Sequence, residues 1–303
     1  MIEGYAAYAV WAFFVLSGYL MTHVLKQKYG FSPCGVAAYA FNRLLRIFPG
    51  YYVALSIGVV TLVVARCHGV EFTRTLNPEF YLPGGLGWLN PLTLLSVFPR
   101  NGLPVAVSNA LALEVTAYLL MPLLAASKPA AFMALIFSAI HAAHLGFDLD
   151  SFAERYSTFM PCMLAFSWGS LTRHYDSCLA AVRAPVMSVA LWMIHGGAWV
   201  CFPYWPWTYG LYVSLLLSSW VVTSLFGQKS GGVDRLFGDL SYPVYLLHSI
   251  AGAWLLPIFD NQRSFGLFVT AFAVTLLLSA LVVRLIEKPL QVIKIMKIAS
   301  RND

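Results

Sequence analysis

MIEGYAAYAVWAFFVLSGYLMTHVLKQK (1–28) holds an uncharged, mostly apolar run of about twenty residues between Glu3 and Lys26, the length needed to cross a bilayer's hydrocarbon layer. A cleaved secretory signal carries positive charge before its apolar core and a small-residue cleavage site after it. Here Glu3 precedes the core, and Lys26 and Lys28 follow it. The stretch therefore reads as a retained membrane helix.

The same reading extends to the whole chain. Of its 303 residues 59% are hydrophobic and 11% charged, with a mean hydropathy of +0.72, whereas an ordinary soluble domain has about 25% charged residues. Apolar runs near 5–25, 48–66, 104–126, 130–146, 156–172, 185–200, 208–227, 238–257 and 264–286 predict nine spans. The expected fold is all-α: a polytopic transmembrane helix bundle forming one domain over 1–303, with no soluble module. Residues 84–98, with Gly84, Gly85, Gly87 and Pro91, read as an interfacial or re-entrant segment.

Charge sets the orientation. With the loop at 26–47 in the cytoplasm, fourteen of the nineteen bases lie on that side, including Lys26, Lys128, Arg173, Arg183, Lys294, Lys297 and Arg301. Arg66, Arg74, Arg100, Arg155 and Arg263 remain opposite. Positive-inside asymmetry then places the carboxyl terminus in the cytoplasm and Met1 outside. The net charge of +6 is spread over short loops between apolar runs, which excludes nucleic acid as a partner and points to membrane lipid. The cysteines, Cys34, Cys67, Cys162, Cys178 and Cys201, have no CxxC spacing and read as small apolar residues. No metal-ligand cluster, phosphate loop or nucleophile elbow appears.

Some residues are costly to keep where they stand. Glu114, in VSNALALEVTAYLLMPLL (107–124), falls near mid-span, where an ionisable group faces the bundle interior or pairs, for example with Tyr118 one turn on. His248, in LSYPVYLLHSI (240–250), reads either as a general base or as a core histidine bonded to a helix carbonyl. His195 is the weaker candidate, since Gly196 and Gly197 suggest close helix packing, and His141 and His144 fall at a membrane surface. Arg43 and Arg46, three residues apart in the loop entering the second span, share a helical face if that helix begins early, and either grip phosphate or serve as orientation charges. Glu287-Lys288-Pro289 reads as a helix end with snorkelling charges, and CFPYWPWTYG (201–210) as an interfacial aromatic belt.

AFFVLSGYL (12–20), FNRLLRIFPGYY (41–52), LALEVTAYLLMPLL (111–124) and LSYPVYLLHS (240–249), followed by LIEKPL (285–290), resemble in this order the acyltransferase family 3 membrane proteins. The resemblance implies an O-acyltransferase, normally of about ten helices, that acylates lipopolysaccharide, exopolysaccharide and other glycans. It implies acyl-CoA, commonly acetyl-CoA, as co-substrate with no bound cofactor, a carbohydrate or glycolipid acceptor, and a place in the bacterial inner membrane. It assigns Arg43 and Arg46 to the donor and Glu114 to the family's conserved acid, with Asn109 and Ala110 where Trp and Ser are usual. Ser17, Gly18, Pro49, Tyr118, Ser241, Tyr242, Tyr245 and Glu287 fall on its motifs. The family's first helix carries an Arg and, about three turns later, a catalytic His. That helix would precede AFFVLSGYL, so the resemblance implies a form short at its amino end, with His248 and Glu114 as remaining base candidates. Two further readings stay open: an inactive or truncated member, and a glycan or lipid carrier using Glu114.

Overall fold

The computed structural model describes residues 3–148, 150–202 and 204–290. It is 79% helical, with no strand among the described residues. In chain order the helices are α1 (Glu3–Val24), α2 (Pro33–Cys67), α3 (Leu89–Thr93), α4 (Ser108–Ala126), α5 (Lys128–Leu145) and α6 (Phe152–Ser157). They continue as α7 (Phe159–His174), α8 (Asp176–Leu179), α9 (Pro185–Cys201), α10 (Leu211–Leu225), α11 (Gly232–Leu255) and α12 (Phe265–Val282).

Among the described residues seven helices are long and apolar enough to cross a membrane. The number becomes eight if α9 is joined to the helical segment Asp176–Val182 across an 88° bend. Of the nine expected segments, 156–172 and 185–200 are the short ones, with 16 residues in α7 and 17 in α9, whereas α10 reaches 18 together with the helical turn before it (Thr208–Leu225). The expected orientation charges Lys294, Lys297 and Arg301, and the carboxyl terminus, lie outside the described residues.

The distribution of polarity is that of a membrane-embedded chain. On α10 the buried positions include Ser214, Ser218, Thr223 and Ser224, while Leu216 and Leu225 are exposed. On α12, Thr275 and Ser279 are buried while Phe265, Phe268, Phe272 and Leu277 are exposed. In water this would leave large apolar faces uncovered. In lipid, hydroxyls turn inward to find partners and apolar side chains face the tails.

The chain forms two compact units. Of the described residues, the first takes those up to 39 and those from 113 to 228, and the second takes those from 40 to 112 and from 229 onward. In the first, α1 packs on α7, α9 and α10, and α5 packs on α7. The crossing of α1 and α7 has no room for side chains. A Cβ on Gly18 would lie 2.1 Å from the Phe166 carbonyl oxygen, and one on Gly169 would lie 2.1 Å from that of Val15. These glycines let the two backbones touch, the usual means of tight helix association where lipid supplies no hydrophobic drive. Phe14 stacks on Phe166 beside the crossing.

In the second unit α11 packs on α12. Two hydrogen bonds fix α2 and α11 side by side in the same direction: Tyr242 Oη donates to the Ile47 carbonyl (2.7 Å) and Trp254 Nε1 to Thr61 Oγ1 (2.8 Å). In the later half of α2, a Cβ on Gly58 would lie 2.0 Å from the Pro104 carbonyl oxygen, so the segment before α4 lies directly on the helix. Residues 84–98 form a short 3₁₀ turn (Gly85–Trp88) and α3.

Three expectations are corrected. The helix does not end at Pro289: helical backbone continues through residue 290, after a π turn at Val283–Glu287. Such widening makes room for the proline ring and its missing donor. Glu287 does not snorkel, being 7% exposed. Arg155, expected as an orientation charge in a short loop, is fully buried on α6. It donates to Ser151 Oγ and to the Asp148 and Thr208 carbonyls (3.1, 2.8 and 3.5 Å), so backbone oxygens replace its water.

Gly18→Ala is expected to destabilise the protein by about 1–3 kcal/mol through overpacking, measured as a lower unfolding midpoint in detergent. Gly197→Ala, where a Cβ meets nothing within 4 Å, should leave the midpoint unchanged. Equal midpoints for both variants would contradict the close crossing.

Candidate functional site

The motif residues divide between the two units. In the first, α4 carries Glu114 into the interior, where it is 4% exposed. Its Oε1 accepts a hydrogen bond from Ser17 Oγ on α1 (2.9 Å) and another from the hydroxyl of Tyr118, one turn further along α4. Tyr118 was legible from the i, i+4 spacing. Ser17, 97 residues away, was not. Beside it Gly18 admits α7, so the stretch 12–20 is fixed by a polar bond on one side and a backbone contact on the other. The Tyr118 ring also lies edge-on to Tyr39, with centroids 6.5 Å apart.

In the second unit, α2 begins at Pro33, so Arg43 and Arg46 stand on a continuous helix, both half-buried. Pro49 lies inside that helix. The two arginines differ in their surroundings. Arg46 reaches the buried carboxylate of Glu287 (3.8 Å). Arg43 Nε is buried with no hydrogen-bond partner among the described residues. Gly50 sits where Tyr242 and Glu287 converge: a Cβ there would lie 3.2 Å from Tyr242 Cε1 and 3.8 Å from Glu287 Oε1. Stretches 41–52, 240–249 and 285–290 thus meet around one point.

Along α11, Ser241 Oγ donates to its own helix at Gly238 (2.9 Å), and Tyr245 Oη donates to the Val107 carbonyl (2.6 Å). His248 corrects one expectation and meets another. Its side chain is exposed, not in the core. Its Nδ1 faces the Tyr245 and Val244 carbonyls of its own helix (2.8 and 3.3 Å), the carbonyl bonding of the structural reading. A carbonyl only accepts, so Nδ1 carries the proton in the neutral ring and the lone pair is on Nε2.

The parallel register of α2 and α11 orders these groups along one axis. With Tyr242 level with Ile47, His248 stands ten residues beyond Arg43, about 15 Å at the helical rise. Further on, where α2 ends, a cleft of ≈ 390 Å³ is lined by residues including Leu62, Arg66, Glu71, Thr73 and Tyr81.

His195 is buried, and its Nε2 accepts from Trp205 Nε1 (3.0 Å). Gly196 does mark close packing, a Cβ lying 3.3 Å from Tyr8, but Gly197 does not. Within the aromatic belt, Phe202, Tyr204 and Tyr209 are exposed and Trp205 turns inward. His141 and His144 are exposed near the end of α5. Of the cysteines only Cys162 is buried. No family model, curated protein or solved structure matches the chain.

Ser17→Ala and Glu114→Ala are expected to be coupled by about 1 kcal/mol in a double-mutant cycle of unfolding free energies. Strict additivity would contradict the pairing.

Proposed function

We propose that this chain is a multi-pass O-acyltransferase of the bacterial inner membrane, with nine spans and a cytoplasmic carboxyl terminus. It moves an acyl group, by default acetyl, from acyl-CoA to a hydroxyl of a cell-envelope carbohydrate. The observation that carries the reading is the axial order of Arg43, His248 and the cleft along the parallel pair α2 and α11. It is supported by the way stretches with the acyltransferase family 3 pattern meet: 12–20 with 111–124, and 41–52 with 240–249 and 285–290.

In this reading Arg43, not neutralised by Glu287 as Arg46 is, holds the CoA phosphates. The pantetheine arm then runs along α2 and brings the thioester level with His248. The acceptor glycan enters by the cleft, where Arg66, Glu71, Thr73 and Tyr81 offer donors and acceptors to its sugar units, and extends one hydroxyl back along α2 to His248. His248 Nε2 takes the hydroxyl proton as the oxygen attacks the thioester carbonyl. The C–S bond breaks, the thiolate takes the proton from the imidazolium, and the products are the ester and free CoA. Glu114 is a positioning residue in this scheme, tying α1 to α4 through Ser17.

The test gives the purified full chain in nanodiscs acetyl-CoA labelled in the acetyl group together with cell-envelope glycan. Labelled, hydroxylamine-sensitive ester is expected on the glycan. His248→Gln should lower kcat about 10²–10⁴-fold with KM for acetyl-CoA unchanged. Arg43→Ala should raise that KM roughly ten- to hundredfold. Absence of ester overturns the proposal, and glycan crossing the membrane without ester formation favours the carrier reading.

A further inference from the structure

At one end of the first unit, four cations from separate segments lie close together, two of them on a shared acid. Lys26 lies just beyond α1, Lys128 starts α5, Arg173 lies in the last turn of α7, and Arg183 precedes α9. The two arginines share one acid, Asp176, which accepts from Arg183 Nη2 at 2.8 Å, lies 3.7 Å from Arg173 Nη1, and accepts from Tyr19 Oη at 2.8 Å.

The means by which the cations are held is unusual. Lys26 Nζ donates to His174 Nδ1 (2.7 Å), and the other nitrogen of that ring, Nε2, faces the Leu124 carbonyl (2.8 Å). A ring that accepts on one nitrogen and donates from the other is neutral. Arg173 Nε likewise donates to His23 Nδ1 (3.0 Å), and its guanidinium carbon lies 5.9 Å from the Tyr19 and Phe226 ring centroids. Lys128 Nζ lies 4.7 Å from the centre of the Tyr175 ring. A carboxylate beside a cation orients it and cancels its charge. Imidazole lone pairs and aromatic faces orient it and leave the charge intact. Lys26 and Lys128 are oriented in the second way alone and Arg173 in both, so four cations against one carboxylate keep an excess of about three positive charges on fixed side chains.

Charges that merely orient a chain in the membrane need only be on the correct side, with their side chains free. Ordering like charges close together costs energy that a bound polyvalent anion returns. We propose that Lys26, Lys128, Arg173 and Arg183 form a phosphate-binding site, separate from Arg43, that takes the phosphate of a membrane lipid headgroup or a free phosphate. The site is independent of the acyltransferase reading, since none of its residues holds the donor or takes the proton there.

The full chain is reconstituted in phosphatidylcholine nanodiscs and its unfolding midpoint followed as inorganic phosphate is added. A parallel series replaces part of the phosphatidylcholine by phosphatidylglycerol. A rise with inorganic phosphate identifies a free-phosphate site, and a rise with phosphatidylglycerol alone identifies a lipid headgroup. Lys26→Gln with Lys128→Gln should weaken the response about 25-fold in apparent affinity, at about fivefold per charge. Lys26→Arg with Lys128→Arg should retain it. No rise in either series with the unaltered chain overturns the proposal whatever the variants do. So does an undiminished response of the glutamine pair, or an equal loss in the arginine pair.

Discussion

The hydrocarbon layer contains no water to satisfy a polar group, and this constraint governs the molecule from backbone to site. Every backbone donor must bond within its own segment, so apolar runs become helices. Helices in lipid gain little from burying Leu against Leu, so they associate through close contact and hydrogen bonds. The α1–α7 crossing at Gly18 and Gly169 shows the first device. The Ser17–Glu114 bond, one residue from Gly18, shows the second. The contact ties α1 to α7 and the bond ties it to α4, so one short stretch of α1 is held from two sides.

What was legible in the sequence follows the range of the interactions concerned. Composition and run length are local, and they lead to an all-helical membrane chain. Tyr118 as a partner of Glu114 follows from helical spacing alone, and the early start of α2 was conditional in the spacing of Arg43 and Arg46. Ser17 as the second partner of Glu114 was invisible, since nothing in either stretch encodes a bond across 97 residues. The same holds for Glu287, which looked like a surface charge because Lys288 and Pro289 follow it. It is buried and faces Arg46, far away in sequence. Arg155 looked like a loop charge, and its partners are carbonyls at Asp148 and at Thr208, 53 residues on, which no periodicity announces.

A single electrostatic distinction separates the arginines and lysines of this chain. Arg46 faces a carboxylate and is a structural cation. Arg43 carries a buried Nε with no described partner, and the Lys26 and Lys128 ammoniums are oriented by an imidazole and a tyrosine ring. Charge left uncompensated on ordered side chains is how a protein prepares for an anion, and both proposed phosphate contacts rest on it. His248 adds the other requirement of acyl transfer, an exposed nitrogen whose tautomer is set by its own helix. Arg43 and His248 come to lie along one axis only because Tyr242 and Trp254 hold α11 parallel to α2.

The central claim is that an acyl group passes from a cytoplasmic CoA ester to a carbohydrate hydroxyl through this chain. The most direct measurement uses sealed inside-out membrane vesicles carrying the full chain, with acetyl-labelled acetyl-CoA added outside and envelope glycan enclosed. The account predicts that label accumulates as ester on the enclosed glycan, with one free CoA released outside for each ester formed. Label that stays in acetyl-CoA, or that enters the vesicle without becoming esterified, would contradict it.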